Sequence, residues 1–194
     1  MDLNTVLISI LLFVSLYLVY QGMAMPLEKD ASIKVAGSGK GNPRLNGFAV
    51  SFKAKDPDGL IFVNQPEDNK YVGVYLKAGK PIVEAQVVAS TPVKVSFDAT
   101  VNDDKDHVVT VIWEVGKVTA SLDDGDFKDV KLTNSSQAFI YGKMQIGSGA
   151  SLVGLSADAG KQFNGCINYI KLPDRPLTSS NFLLLGGLSK DCSK

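Results

Sequence analysis

The sequence predicts an all-β fold, two antiparallel sheets packed as a sandwich and preceded by an N-terminal hydrophobic signal helix. Three observations carry this. From Gly47 onward apolar residues recur with period two, the spacing that sends one side of an extended chain into a core. Clusters of Gly, Pro, Asp and Asn break these runs about every ten residues, as turns between short strands do. Helical periodicity is nearly absent: Glu occurs four times, and Ala, Leu and Glu never combine at helical spacing, so one helical turn at residues 179–184 is the most expected.

The first segment is a targeting signal. Val6 to Tyr20 is apolar or aromatic apart from Ser9 and Ser15, and Gly22-Met23-Ala24 follows with the small-x-small pattern of a cleavage site. Cleavage after Ala24 would release a secreted chain. An uncleaved anchor is the alternative, because Asp2 stands where a basic residue is usual, although the run falls short of the roughly 20 residues a spanning helix needs. Either way residues 25–194 lie outside the cytosol, secreted or membrane-anchored. The division is therefore 1–24 signal peptide or signal anchor, 25–46 entry loop or tether with at most one short strand, and 47–194 the β-domain. Gly37-Ser38-Gly39-Lys40 lacks the spacer and the Ser or Thr of a phosphate loop and reads as linker.

Phe48, Val50, Phe52 and Ala54 then alternate with Ala49, Ser51 and Lys53 in a strand, and Asp56-Pro57-Asp58-Gly59 turns the chain into the strand Leu60 to Val63. The same grammar gives strands at Tyr71 to Lys77, Ile82 to Val88, Val93 to Ala99, Val108 to Glu114, Val118 to Leu122, Phe139 to Tyr141 and Met144 to Ile146, with a turn at Ala78-Gly79-Lys80. Phe163-Asn164-Gly165-Cys166-Ile167-Asn168-Tyr169-Ile170-Lys171-Leu172 is the last core strand, and Cys192 follows near the end.

In order, "FAVSFKAKDPDGLIFV", "KYVGVYLKAGKPIVEAQV", "NDDKDHVVTVIWEVGKVTASLDDGD", "MQIGSG" and the Phe-x-Gly-Cys-Ile strand resemble the laminin G-like domains, extracellular modules with a jelly-roll sandwich. Two departures stand out: Asp106 occupies a position usually Trp, and Ser148-Gly149 replaces a frequent Gly pair and Pro. The resemblance implies a bond between Cys166 and Cys192, and two cysteines in an exported chain are most simply one disulfide. His107, the only histidine, is implied to be structural, its imidazole bonding backbone at a strand start. Trp113 reads as core packing rather than a sugar-stacking platform.

The family's calcium site implies an acid just before Tyr71. Lys70 stands there, with Asp68 and Asn69 beside it and Asp158 in a later loop that would reach the same rim, so calcium is disfavoured and no cofactor is expected. Asp103, Asp104, Asp106, Asp123, Asp124 and Asp126 make two acidic turns, read as backbone caps whose density leaves a weak cation site open. Asn134-Ser135-Ser136 is an N-glycosylation acceptor.

Charge excludes nucleic acid as partner: 20 acidic residues balance 20 basic ones, without a basic cluster. Membrane contact would come only through an uncleaved anchor. A glycoside hydrolase needs two carboxyls at a set separation, which Glu28, Glu67, Glu84 and Glu114 do not offer in sequence. A single His and the lack of a Gly-x-Ser-x-Gly elbow remove the commonest nucleophile relays and histidine metal pairs. Asn42-Pro43-Arg44 resembles a galectin core only by chance, its order reversed and its leading His missing. The expected function is thus a non-catalytic extracellular module that binds a protein or glycan through rim loops at residues 64–70, 101–106 and 148–161. The alternative is a carbohydrate-active enzyme or lectin of the concanavalin A-like sandwich architecture.

Overall fold

The computed structural model describes residues 25–27, 33–35, 47–87, 90–132, 142–147, 154–172, 175–176 and 182–184. Among them the chain forms β1 (Met25–Leu27), β2 (Ile33–Val35), β3 (Gly47–Ala54), β4 (Gly59–Glu67), β5 (Lys70–Lys77), β6 (Lys80–Gln86), β7 (Val93–Ser96), β8 (His107–Glu114), β9 (Lys117–Leu122), β10 (Lys128–Lys131), β11 (Lys143–Ile146), β12 (Gly165–Leu172), β13 (Arg175–Pro176) and β14 (Phe182–Leu184). The first sheet runs β1-β12-β3-β8-β9-β10, with β13 also on β12; the second runs β14-β2-β11-β4-β5-β6-β7. Every pairing is antiparallel.

The two-sheet sandwich expected from period two is what forms. Phe48, Val50 and Phe52 of β3 meet Val72, Val74 and Leu76 of β5 in the main core, together with Val109, Val111 and Trp113 of β8. Phe48 sits edge-on to Phe62 with centroids 4.5 Å apart and lies 5.9 Å from Trp113, which is buried as expected. Each such side chain removed from water contributes about 1.5–3 kcal/mol.

Three register shifts adjust the alternation. In β12 the register shifts between Ile167 and Tyr169, so Asn168 and Tyr169 share the space opposite Ser51 while Ile167 and Ile170 both stay in the core. In β4 one shift lies between Asn64 and Glu67 and another between Leu60 and Phe62. Ile61 and Phe62 both enter the main core there, and Leu60 and Val63 join a second cluster with Tyr71, Tyr75 and Ala159. The second sheet is therefore apolar on both faces, which explains why residues 60–63 and 71–76 read as nearly unbroken apolar runs.

Several expectations need correction. Residues 64–67 continue β4, leaving Asp68-Asn69 alone as the turn into β5, with Asn69 in the left-handed region at φ 59°. Where at most one helical turn was expected near 179–184, Phe182–Leu184 is a strand pairing with β2. β10 escaped notice: Lys128-Asp129-Val130-Lys131 is an edge strand, and charged edges carry little alternation. Met25–Leu27 also pairs with β12, and Ile33–Val35 with β11, so the entry segment is hydrogen-bonded into both sheets. The strand expected at 139–141 lies outside the described residues.

Candidate functional site

Antiparallel alternation gathers the connectors of β3 to β4, β5 to β6, β7 to β8, β9 to β10 and the approach to β12 at one end of the sandwich. Backbone bonds tie them together: Asp104 N–H reaches Ala54 O at 3.1 Å, Gly79 N–H reaches Pro57 O at 2.7 Å, and Val101 N–H reaches Gly79 O at 2.8 Å. Gly79 holds φ +76°, and a side chain there would strike Asn102. Ala78 N–H donates to Asp58, and Asn164 to Asp56 at 3.1 Å. Aspartates dominate this end, and lysines answer them: Lys161 to Asp58 at 3.3 Å, Lys55 to Asp104 at 3.8 Å and Lys105 to Asp103 at 3.0 Å. Asp106 takes Lys53 at 3.7 Å and the bulge residue Asn168 at 2.7 Å.

His107 opens β8 at this end, but its imidazole does not bond backbone as expected. Nε2 lies 3.0 Å from Asp103 and Nδ1 lies 3.0 Å from Asp123, joining the two acidic turns through one ring. Asp123 also accepts Val108 N–H at 2.8 Å. Burial alone would lower the imidazole pKa, but the bonds to Asp123 and Asp103 outweigh it and raise it above its ordinary value. Those with His107, then Lys105, hold Asp103 well below the usual carboxylate range.

Of the three loops expected to share a rim, residues 101–106 lie at this end. The Asp68-Asn69 turn lies at the other end of β5, which spans about 23 Å at 3.3 Å per residue. Of the 148–161 loop, residues 148–153 lie outside the described residues and 154–161 do neither: they run over the outer face of the second sheet, from Gly154 against Asn69 to Asp158 on Lys77 at 2.7 Å and Lys161 O on Leu60 N–H at 2.8 Å. The calcium donors are thus not assembled. Asp158 is committed to Lys77, whose bond chiefly lowers its pKa, and Lys70 is buried, its ammonium 3.6 Å from Glu67. These residues do not fit a calcium ion, which needs a cluster of oxygens within about 2.6 Å.

Beneath that strap lies a cluster the sequence reading missed. Glu84 is fully buried, and its carboxylate accepts from Tyr71 Oη, from Tyr75 Oη at 2.9 Å, from Ser156 Oγ at 3.1 Å and from Lys94 Nζ at 3.0 Å. Its signal was a glutamate inside the apolar run "PIVEAQV", with two tyrosines four apart on the neighbouring strand, hence on one face. Burial first, then Glu84, raises both phenols, Tyr75 to about 12. Lys94 is pulled down by burial but raised overall by its bonds to Glu84 and Tyr75. The cluster fastens the strap to the second sheet through Ser156 on Glu84.

Glu67 sits at the far end of β4 and Glu114 at the end of β8, and both ring nitrogens of His107 face carboxylates. Cys166 pairs in register with Lys53 and Pro26, and no described cysteine is free. Cys192, Asn134, Glu28 and residues 1–24 lie outside the described residues. Among those described, no helix is long and apolar enough to cross a membrane.

Comparison with known proteins adds four findings. A model of the laminin G domain matches residues 52–175. Laminin subunit alpha of Drosophila melanogaster is 30% identical over 81 residues, which cover 41% of this chain and 2% of that protein. Mouse laminin alpha1 domains LG4-5 superpose with TM-score 0.66 at 17% identity, covering 83% of this chain and 46% of that one. The LG1-3 region of the laminin alpha2 chain gives TM-score 0.62 at 16% identity, with 82% and 28% covered. The chain therefore spans a small part of the laminin subunit and less than half of each solved structure.

Proposed function

Because the chain belongs to the laminin G domain family, we propose that it is an extracellular binding module that recognises a protein or glycan ligand without catalysing a reaction. On this reading residues 1–24 export the chain, residues 25–46 lead into the fold, and residues 47–194 form the module. The observation that carries the binding site is the convergence of residues 55–58, 78–79, 101–106 and 123–126 at one end, where loops on a rigid sandwich present polar groups. That end rather than the Asp68-Asn69 turn is the proposed ligand site. Its aspartates suit partners rich in hydroxyl, amide or cationic donors.

The test is a glycan array together with a cell-surface binding screen, using full-length protein recovered from culture medium, with and without calcium. A double change, Asp104→Asn with Asp126→Ala, should weaken any binding found while leaving the melting temperature nearly unchanged. Asp68→Ala, at the opposite end, should leave binding intact. The reverse pattern would move the site to the other end, and hydrolysis of a glycan or peptide lost on changing one acid would refute the non-catalytic reading.

A further inference from the structure

We propose that His107 is a pH-sensitive clasp: as the imidazolium it holds the Asp103 tip of the 101–106 loop against the start of β8, and as neutral imidazole it lets that tip go. The warrant is the two-sided geometry. Both ring nitrogens stand 3.0 Å from carboxylate oxygens, so both bonds exist only when both nitrogens carry protons. Neutral imidazole donates once and turns a lone pair toward the other carboxylate, where the contact becomes repulsive.

Which side yields follows from the anchoring. Asp123 accepts Val108 N–H at 2.8 Å and its own N–H reaches Val108 O at 2.6 Å, so it is fixed across the β8–β9 ladder. Among the described residues the Asp103 carboxylate is otherwise held only by Lys105, through its Nζ at 3.0 Å and its N–H at 3.1 Å, and Lys105 travels on the same loop, whose backbone keeps a separate tie from Asp104 N–H to Ala54 O at 3.1 Å. Asp104, next to it, is in the left-handed region at φ 60°, a conformation that needs support from its surroundings. The other charged groups near the ring are already paired: Asp104 with Lys55, and Asp106 with Lys53 and Asn168. Asp124 adjoins Asp123, adding negative potential, and from β3 the Phe52 ring lies 6.2 Å away, with Lys53 already turned to Asp106. The net field favours the cation, in line with the raised imidazole pKa. The clasp is therefore closed below about pH 6.5 and opens as pH rises through a folded-state value above that.

The experiment needs no ligand, so its outcome is independent of the binding proposal. As the chain has one histidine, its NMR titration is unambiguous. Full-length protein should show a midpoint above 6.5, a neutral form protonated on Nδ1, and amide exchange at residues 102–105 that rises with the same midpoint beyond the intrinsic effect of pH. Asp103→Asn should lower the midpoint by about one unit and abolish the exchange step. Should that variant fold poorly, Lys105→Met must keep the step while moving the midpoint up, since a nearby positive charge has gone. A midpoint at or below 6.5, an Nε2-protonated neutral ring, or exchange at 102–105 without a step would overturn the proposal.

Discussion

Glu84 shows what a single side chain decides here. Replacing it with Ala removes the acceptor for two buried tyrosine hydroxyls and an ammonium, and should cost about 3 kcal/mol in denaturant unfolding. Lys94→Ala should cost less, about 1 kcal/mol, because Lys94 is 41% exposed and water can replace it at the carboxylate. Equal losses would mean that the cluster is not fastened through Glu84. Asp103 and Asp158, both depressed, add a second pH effect of opposite sign to that of His107. Their contribution is present above the ordinary aspartate value near 3.8 and disappears as pH falls through their lower folded values. At this scale the sequence was least legible. A glutamate in an apolar run announces a buried partner set, but Ser156 and Lys94 reach it from distant segments, and nothing local names them.

The elements were more legible, and their misreadings have one physical source. Period two located β3, β5, β8 and β12 because each buries at least one full face. It failed at β10, which buries little, and at residues 64–67, where Asn and Gln looked like loop although both are buried. The distribution of loops between the two ends was readable too. Successive hairpins alternate ends, so the turn after β4 had to lie opposite those after β3 and β5, and the expectation of one shared rim neglected this. The bulge in β12 was legible as an Ile167 to Ile170 spacing of three. Deleting Asn168 should regularise that strand, forfeit its bonds to Ser51 and Asp106, and leave a folded protein weakened by about 2 kcal/mol. Deleting Ala49 from the unbulged β3 sends every side chain on one flank of the cut to the wrong face and should abolish the cooperative melt. If both deletions melt alike, the bulge is not what keeps the two isoleucines inside. The proposed Cys166–Cys192 bond predicts that intact mass with alkylation detects no free thiol until reduction, and that Cys166→Ser loses about 2–5 kcal/mol.

For the whole molecule, class and family were legible because order along the chain survives where single motifs are weak: hairpin, hairpin, central valine strand, then Gly-Cys-Ile. Metal dependence is a property of this scale, since its donors must come from separate loops. Asp68 and Asp158 are held apart by the length of β5, so millimolar calcium should barely shift the melting temperature. A real site at a hundredfold excess over its Kd would add about 2.7 kcal/mol, and a rise abolished by Asp68→Ala would prove the donor set wrong. Export predicts a mature N-terminus at Met25 in protein from eukaryotic culture medium; protein confined to the cytosol would remove the setting for both the disulfide and the Asn134 glycan. The way the chain enters the sandwich also bears on mechanics. β1 and β2 are three residues each, in different sheets, whereas β3 is paired along most of its eight residues on both sides. A pull at residue 24 meets the two short strands first, and residues 25–46 once freed reach at most about 75 Å at roughly 3.4 Å per residue while β3 stays paired on both sides. A bound partner under tension would thus be cushioned by a short extensible leader before the load reaches the fold.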